Sequence, residues 1–93
     1  MPGPRIGADG RRNVRNSEYR ALYEPLSERL KQQAEDAFEM FLVNPAHPSL
    51  RRHGLTDTGK GKHRSGSISV SISIRYRVIY WIDGDVNVWY WIG

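Results

Sequence analysis

The sequence has no cysteine among its 93 residues. That excludes a disulfide scaffold, a thiolate metal site and a thiol nucleophile, and it suits a reducing, cytoplasmic setting. Long apolar runs are also missing. None approaches the roughly 20 residues needed to span a bilayer, so no membrane association is expected. The opening stretch MPGPRIGADGRR has no apolar core and is not read as a secretory signal. Neither HExxH nor GxSxG occurs, and no internal repeat is present. His47, His53 and His63 form no i, i+4 pair, so neither a metal nor any other cofactor is expected. Charge of one sign dominates only weakly: 14 Lys+Arg oppose 10 Asp+Glu, for a net charge of +4. That balance points to an anionic partner without separating RNA, DNA and acidic protein.

At this length the chain is one domain with one modest core. Residues 1–10 contain two Pro and three Gly and read as a disordered arm, leaving 11–93 as the single domain. Arg11 to Asn16 fit a short edge strand with Val14 buried. Ser17 is the expected N-cap of a first helix carrying Tyr19, Leu22 and Tyr23 on one face. Pro25 cannot continue a helix, so it stops near Tyr23 or Glu24. Ser27 caps a second helix. Leu26, Leu30, Ala34, Ala37, Phe38, Phe41 and Leu42 form its apolar stripe, while Glu28, Glu35, Asp36 and Glu39 mark a solvent face. Asn44-Pro45 ends it, because the residue before proline is pushed out of the helical region.

Ser49 to Leu55 reads as a short strand with Leu50 and Leu55 inward, and Thr56 to Gly66 as a basic, glycine-rich loop. Ser67 to Ile74 is SISVSISI, whose strict alternation is a half-buried strand. After a turn at Ser73 to Arg75, Tyr76 to Ile82 is a second strand. Asp83-Gly84 supplies a tight hairpin, and Asp85 to Ile92 is a third strand. Helices followed by strands imply an α+β fold: an N-terminal helical hairpin packed on one face of a small antiparallel β-sheet. Simple alternation turns Ile68, Val70, Ile72, Tyr76, Val78, Tyr80, Val86, Val88, Tyr90 and Ile92 toward the helices. The opposite face then carries Ser69, Ser71, Arg77, Ile79, Trp81, Trp89 and Trp91, including every tryptophan in the chain. Two readings of that face stand open. Either the sheet curls and the tryptophans form a second small core, or arginine and stacking aromatics present a surface for nucleic acid or a protein. Lys60, Lys62 and Arg64 lie in the loop, where glycines would let backbone N–H groups approach an anion. A solvated loop is the alternative.

A helix ending FLVNPAHPSLRRHGL, a strand reaching SVSI and the closing run YRVIYWIDGDVNVWYWIG together resemble the RelE/ParE superfamily of bacterial type II toxins. The resemblance runs from about Asn16 to Gly93. It implies a concave sheet face that meets mRNA on the ribosome or, in ParE-like members, contributes to blocking DNA gyrase. It also implies a cognate antitoxin protein that wraps and neutralises the toxin. For members that cleave RNA, it implies endoribonuclease chemistry: a ribose 2′-OH attacks the adjacent phosphate. Such a reaction needs a base, an acid and cations on the developing phosphorane.

Under that resemblance Arg77, the arginine of the YR motif, and Arg51, after the PSL turn, are the candidate catalytic residues. Lys60, Lys62, Arg64, Trp81, Trp89 and Trp91 are the candidate RNA-binding residues. The sequence also departs from the pattern. Ser71 stands where a further arginine is common, and no carboxylate follows the helix turn. Family members usually continue past WIG into Ser-His-x-x-Tyr, whereas this sequence ends at Gly93, so impaired cleavage is expected. Three functions follow: a ribosome-dependent mRNA endonuclease that inhibits translation, a non-cleaving toxin of gyrase, or an inactive relic that binds an antitoxin.

Overall fold

A computed structural model of the chain describes residues 5–55 and 66–93. Lys60, Lys62 and Arg64 lie outside the described residues, as does His63. The architecture is α+β. The elements are β1 (Arg5–Ile6), β2 (Arg12–Arg15), α1 (Ser17–Tyr23), α2 (Glu28–Val43), a 3-10 turn (Pro48–Leu50), β3 (His53–Gly54), β4 (Ile68–Ser71), β5 (Arg77–Asp83) and β6 (Val86–Ile92). The strands form one six-stranded sheet in the order β1-β2-β6-β5-β4-β3.

Local chemistry sets the helix ends. Asn16, not Ser17, caps α1: its Oδ1 accepts the Tyr19 N–H at 3.0 Å. Ser27 Oγ accepts the Leu30 N–H at 3.2 Å and starts α2 as expected. These contacts satisfy amide donors that a helix start leaves open. Ala34, Ala37, Phe38, Phe41 and Leu42 are the buried face of α2. Asn44 leaves the helical region at φ −149°, ahead of Pro45.

The aromatic centre of the core joins α2 to the sheet. Phe38 and Phe41 meet the Trp89 ring edge-on, with centroids 5.5 and 4.9 Å away. Phe41 meets Tyr80 in the same way at 5.3 Å. Edge-to-face pairs of this kind add to the gain from burial.

The expectation of a disordered arm gives way at Arg5. β1 pairs with β2, and Arg5 reaches both carboxylate oxygens of Glu39 at 3.0 and 3.1 Å. The Ala8 N–H donates to the Leu42 carbonyl at 2.6 Å, filling one acceptor that the end of α2 leaves open. The sheet is also not wholly antiparallel, since β2 and β6 run parallel. A parallel pair needs a long crossover, and here the helices and the β3–β5 strands lie between the two in sequence.

Parity changes in two places. In β2 the buried residue is Asn13, while Val14 is only half-buried. Asn13 Oδ1 accepts from Asn87 Nδ2 at 3.1 Å and from Trp89 Nε1 at 3.0 Å. In β6 a bulge breaks the alternation. Ile79 opposes Trp91 and Tyr80 opposes Trp89, so Tyr90 has no partner of its own. The extra residue turns Asn87 and Trp89, not Val86 and Val88, toward the helices. Trp89 is therefore core, 1% exposed.

Smaller differences follow local geometry. Ser49 to Leu55 is not one strand but the 3-10 turn, a kink and the short β3, with Leu50 buried. β4 stops at Ser71, where the chain bends, and the N–H groups of Ile72 and Ser73 both donate to the Tyr76 carbonyl. The β5–β6 hairpin turns on Gly84-Asp85, one residue later than expected. Gly84 has φ +61°, the conformation glycine supplies at the first central position of a type II′ turn. Among the described residues no helix is long and apolar enough to cross a membrane.

Candidate functional site

Strand register assembles the site on the sheet face turned away from α2. His53 pairs with Ser69, Ser69 with Ile79, and Ile79 with Trp91, so four side chains form a row across β3, β4, β5 and β6. Two residues along each strand lies a second row on the same face. There Ser71 pairs with Arg77, and Arg77 exchanges both backbone hydrogen bonds with Gly93 at 3.0 Å each. A cleft of about 340 Å3 opens here, lined by His53, Ser69, Ser71, Ser73, Ile74, Arg75, Tyr76, Arg77, Trp91 and Gly93.

The NPAHPSL segment leads the chain from α2 into β3. Asn44 Oδ1 accepts the Ala46 N–H at 3.3 Å, and the Asn44 carbonyl accepts the His47 N–H at 3.0 Å. His47 Nδ1 then accepts the Ser49 N–H at 3.1 Å and caps the 3-10 turn. Arg51 closes that turn in the left-handed region, φ +47°. Its carbonyl comes within 2.9 Å of His53 Nδ1. A carbonyl can only accept, so this contact assigns the proton to Nδ1 and leaves Nε2 of the neutral ring as an acceptor. Arg51 thus acts through its backbone, and its side chain is not among those lining the cleft.

Cations enter from β5 and the bend before it. Arg75 and Arg77 are exposed and form no ion pair with any described residue. The turn that presents them is pinned by Ser73 Oγ, which accepts the Tyr76 N–H at 3.2 Å. Ser69 Oγ is buried with no hydrogen-bond partner among the described residues. Ser67 differs: its hydroxyl bonds Tyr90 OH at 2.7 Å, reaching from just before β4 across β5 to the bulge residue of β6. Ile79 is fully buried on this face and Tyr90 nearly so. The face therefore combines a packed region with an open cleft.

Arg77 and Trp91 come together in the cleft. Trp81 lies on the same face, half-buried, two residues beyond Ile79 and outside the cleft lining. Trp89 is corrected to the core for the reason given above. His53, Ser69 and Arg75 are cleft residues that sequence reasoning did not select. His53 carried no signal because β3 and β4 lie well apart in sequence, and only a short turn fixes register from sequence.

No protein-family model matches the chain, and no curated protein matches it. Among solved structures, the crystal structure of YafQ from E. coli strain BL21(DE3) is similar, with a TM-score of 0.69. The similarity covers 89% of this chain and 91% of that chain at 11% sequence identity. The chain therefore shares the fold of YafQ.

Proposed function

We propose that the chain is the toxin of a type II toxin–antitoxin system, a cytoplasmic endoribonuclease that cleaves mRNA on the ribosome. The fold shared with YafQ over nearly the whole of both chains is the observation that carries this reading. The cleft supports it, because it holds a tautomerically assigned imidazole, two exposed guanidinium groups and an indole in one place.

In this mechanism the 2′-OH of one nucleotide attacks the adjacent phosphorus. His53 Nε2 accepts the 2′-OH proton as the new O–P bond forms. Arg77 lies where charge develops on the phosphorane and stabilises it, with Arg75 beside it. Tyr76, a side chain of the cleft lining, gives its hydroxyl proton to the departing 5′ oxygen. Trp91 gives a base a stacking surface. The two helices serve as a hairpin backing the sheet, and a cognate antitoxin neutralises the toxin by covering the cleft.

The test is inducible expression in a bacterium with pulse labelling of new protein and new DNA. Protein synthesis should fall within minutes of induction. Arg77→Ala should restore growth while the protein stays folded, because Arg77 is exposed and outside the core. A fall in DNA synthesis with protein synthesis intact would favour a gyrase toxin. No growth effect from a soluble product would leave only an antitoxin-binding relic.

A further inference from the structure

Ser69 is the least expected member of the cleft. The residue is 1% exposed, and its Oγ has no hydrogen-bond partner among the described residues. Nearly all buried hydroxyls in folded proteins are paired, and leaving one unpaired is destabilising. Here the unpaired hydroxyl stands in the cleft wall, directly between His53 of β3 and Ile79 of β5, with Trp91 next in the row. A side chain that only filled space at this position would lose its penalty by becoming alanine.

We propose that Ser69 is a specificity residue whose hydroxyl bonds the ribose 2′-OH of the nucleotide held in the cleft, so that the site distinguishes RNA from DNA. The inference rests on the nucleic-acid reading above and deepens it. The volume, about 340 Å3, is at the lower end of small-ligand clefts and suits a single nucleotide unit. Its parts match the parts of that unit. Arg77 takes the phosphate, Trp91 the base, and Ser69, diagonal to Arg77 across the β4–β5 pair, the sugar. A serine hydroxyl both donates and accepts, as a 2′-OH does. The 2′-OH is the group by which a protein separates RNA from DNA. The same hydrogen bond would hold the 2′ oxygen beside His53, the cross-strand neighbour of Ser69.

The experiment measures binding of an oligo(A) RNA hexamer and its DNA counterpart to the wild-type protein, Ser69→Ala and Ser69→Cys. Melting temperatures are recorded for all three. The wild type should prefer RNA by about 3- to 10-fold, the range one net hydrogen bond supplies. Ser69→Ala should lose that preference by weakening RNA binding alone, and its melting temperature should rise because an unpaired buried hydroxyl is gone. Ser69→Cys keeps the shape with a weaker donor and should show the same loss of preference, which keeps the test intact should alanine fold poorly. An RNA preference that survives both substitutions overturns the inference. So does a wild type that binds RNA and DNA equally, although the nucleic-acid reading then stands. A wild type that binds neither overturns that reading together with this inference.

Discussion

At the scale of residues, the two neighbouring tryptophans of β6 have opposite duties. Trp89 is enclosed by Phe38, Phe41 and Tyr80, and its indole N–H is bonded to Asn13. Removing that ring opens a cavity and takes one of two donors from Asn13 Oδ1. Trp89→Ala should cost about 3–5 kcal/mol in urea denaturation. Trp91 is half-buried at the cleft, so Trp91→Ala should cost clearly less stability while weakening RNA binding. Equal losses of stability would contradict the assignment of faces. Tyr19 gives a pH-dependent counterpart. Burial pushes its hydroxyl up from 10.0 to about 12, although Arg15 pulls the other way. The folded chain keeps that proton where the unfolded chain has lost it. The associated stability is complete below about pH 10 and is lost as pH rises toward 12. The loss amounts to about 2–3 kcal/mol. Burial raises the Tyr80 hydroxyl as well, so its contribution falls in the same direction. Tyr19→Phe should make alkaline unfolding measurably shallower between pH 10 and 12, and an unchanged profile would remove Tyr19 as the cause.

Among the elements, what was legible in the sequence follows from how local each signal is. The stripe of α2 from Ala34 to Leu42, its Ser27 cap and its Asn44-Pro45 stop all depend on residues within a few positions, and each holds in the structure. The strands β4, β5 and β6 were legible as alternating runs, and the faces of β4 and β5 were legible too, but that of β6 was not. One unpaired residue, Tyr90, inverts the parity of most of β6, and nothing in DVNVWYWI announces which residue is extra. Asn13 was missed for a related reason. A lone polar residue in a short strand reads as exposed, and only the parallel partner β6 shows that Asn87 and Trp89 await its oxygen. Asn13→Leu should therefore destabilise despite adding apolar surface, by about 1–3 kcal/mol for each of the two buried donors it strands. Chemical denaturation decides the point, and a neutral or stabilising result would mean the network contributes little.

The whole molecule is organised by the meeting of its two ends. β2, near the start, runs parallel to β6, near the finish, so the centre of the sheet closes only when nearly the entire chain is in place. Both outer strands, β1 and β3, are two residues long, which limits the edge open to another chain. That closure positions the cleft. His53, Arg77 and Trp91 are far apart in sequence and become neighbours only through the order β6-β5-β4-β3. Arg77 and Trp91 could be chosen from the YR and WYWIG runs alone, whereas His53 could be chosen only with register in hand. The weak positive charge of the chain also gains an address in Arg75 and Arg77 on the cleft rim. The central claim is that this cleft cuts mRNA, and mapping mRNA 5′ ends after induction tests it most directly. Induction of the wild-type chain should produce new 5′ ends within translated codons, and Arg77→Ala, equally soluble, should produce none. New ends that persist in Arg77→Ala, or growth arrest without any new ends, would contradict it.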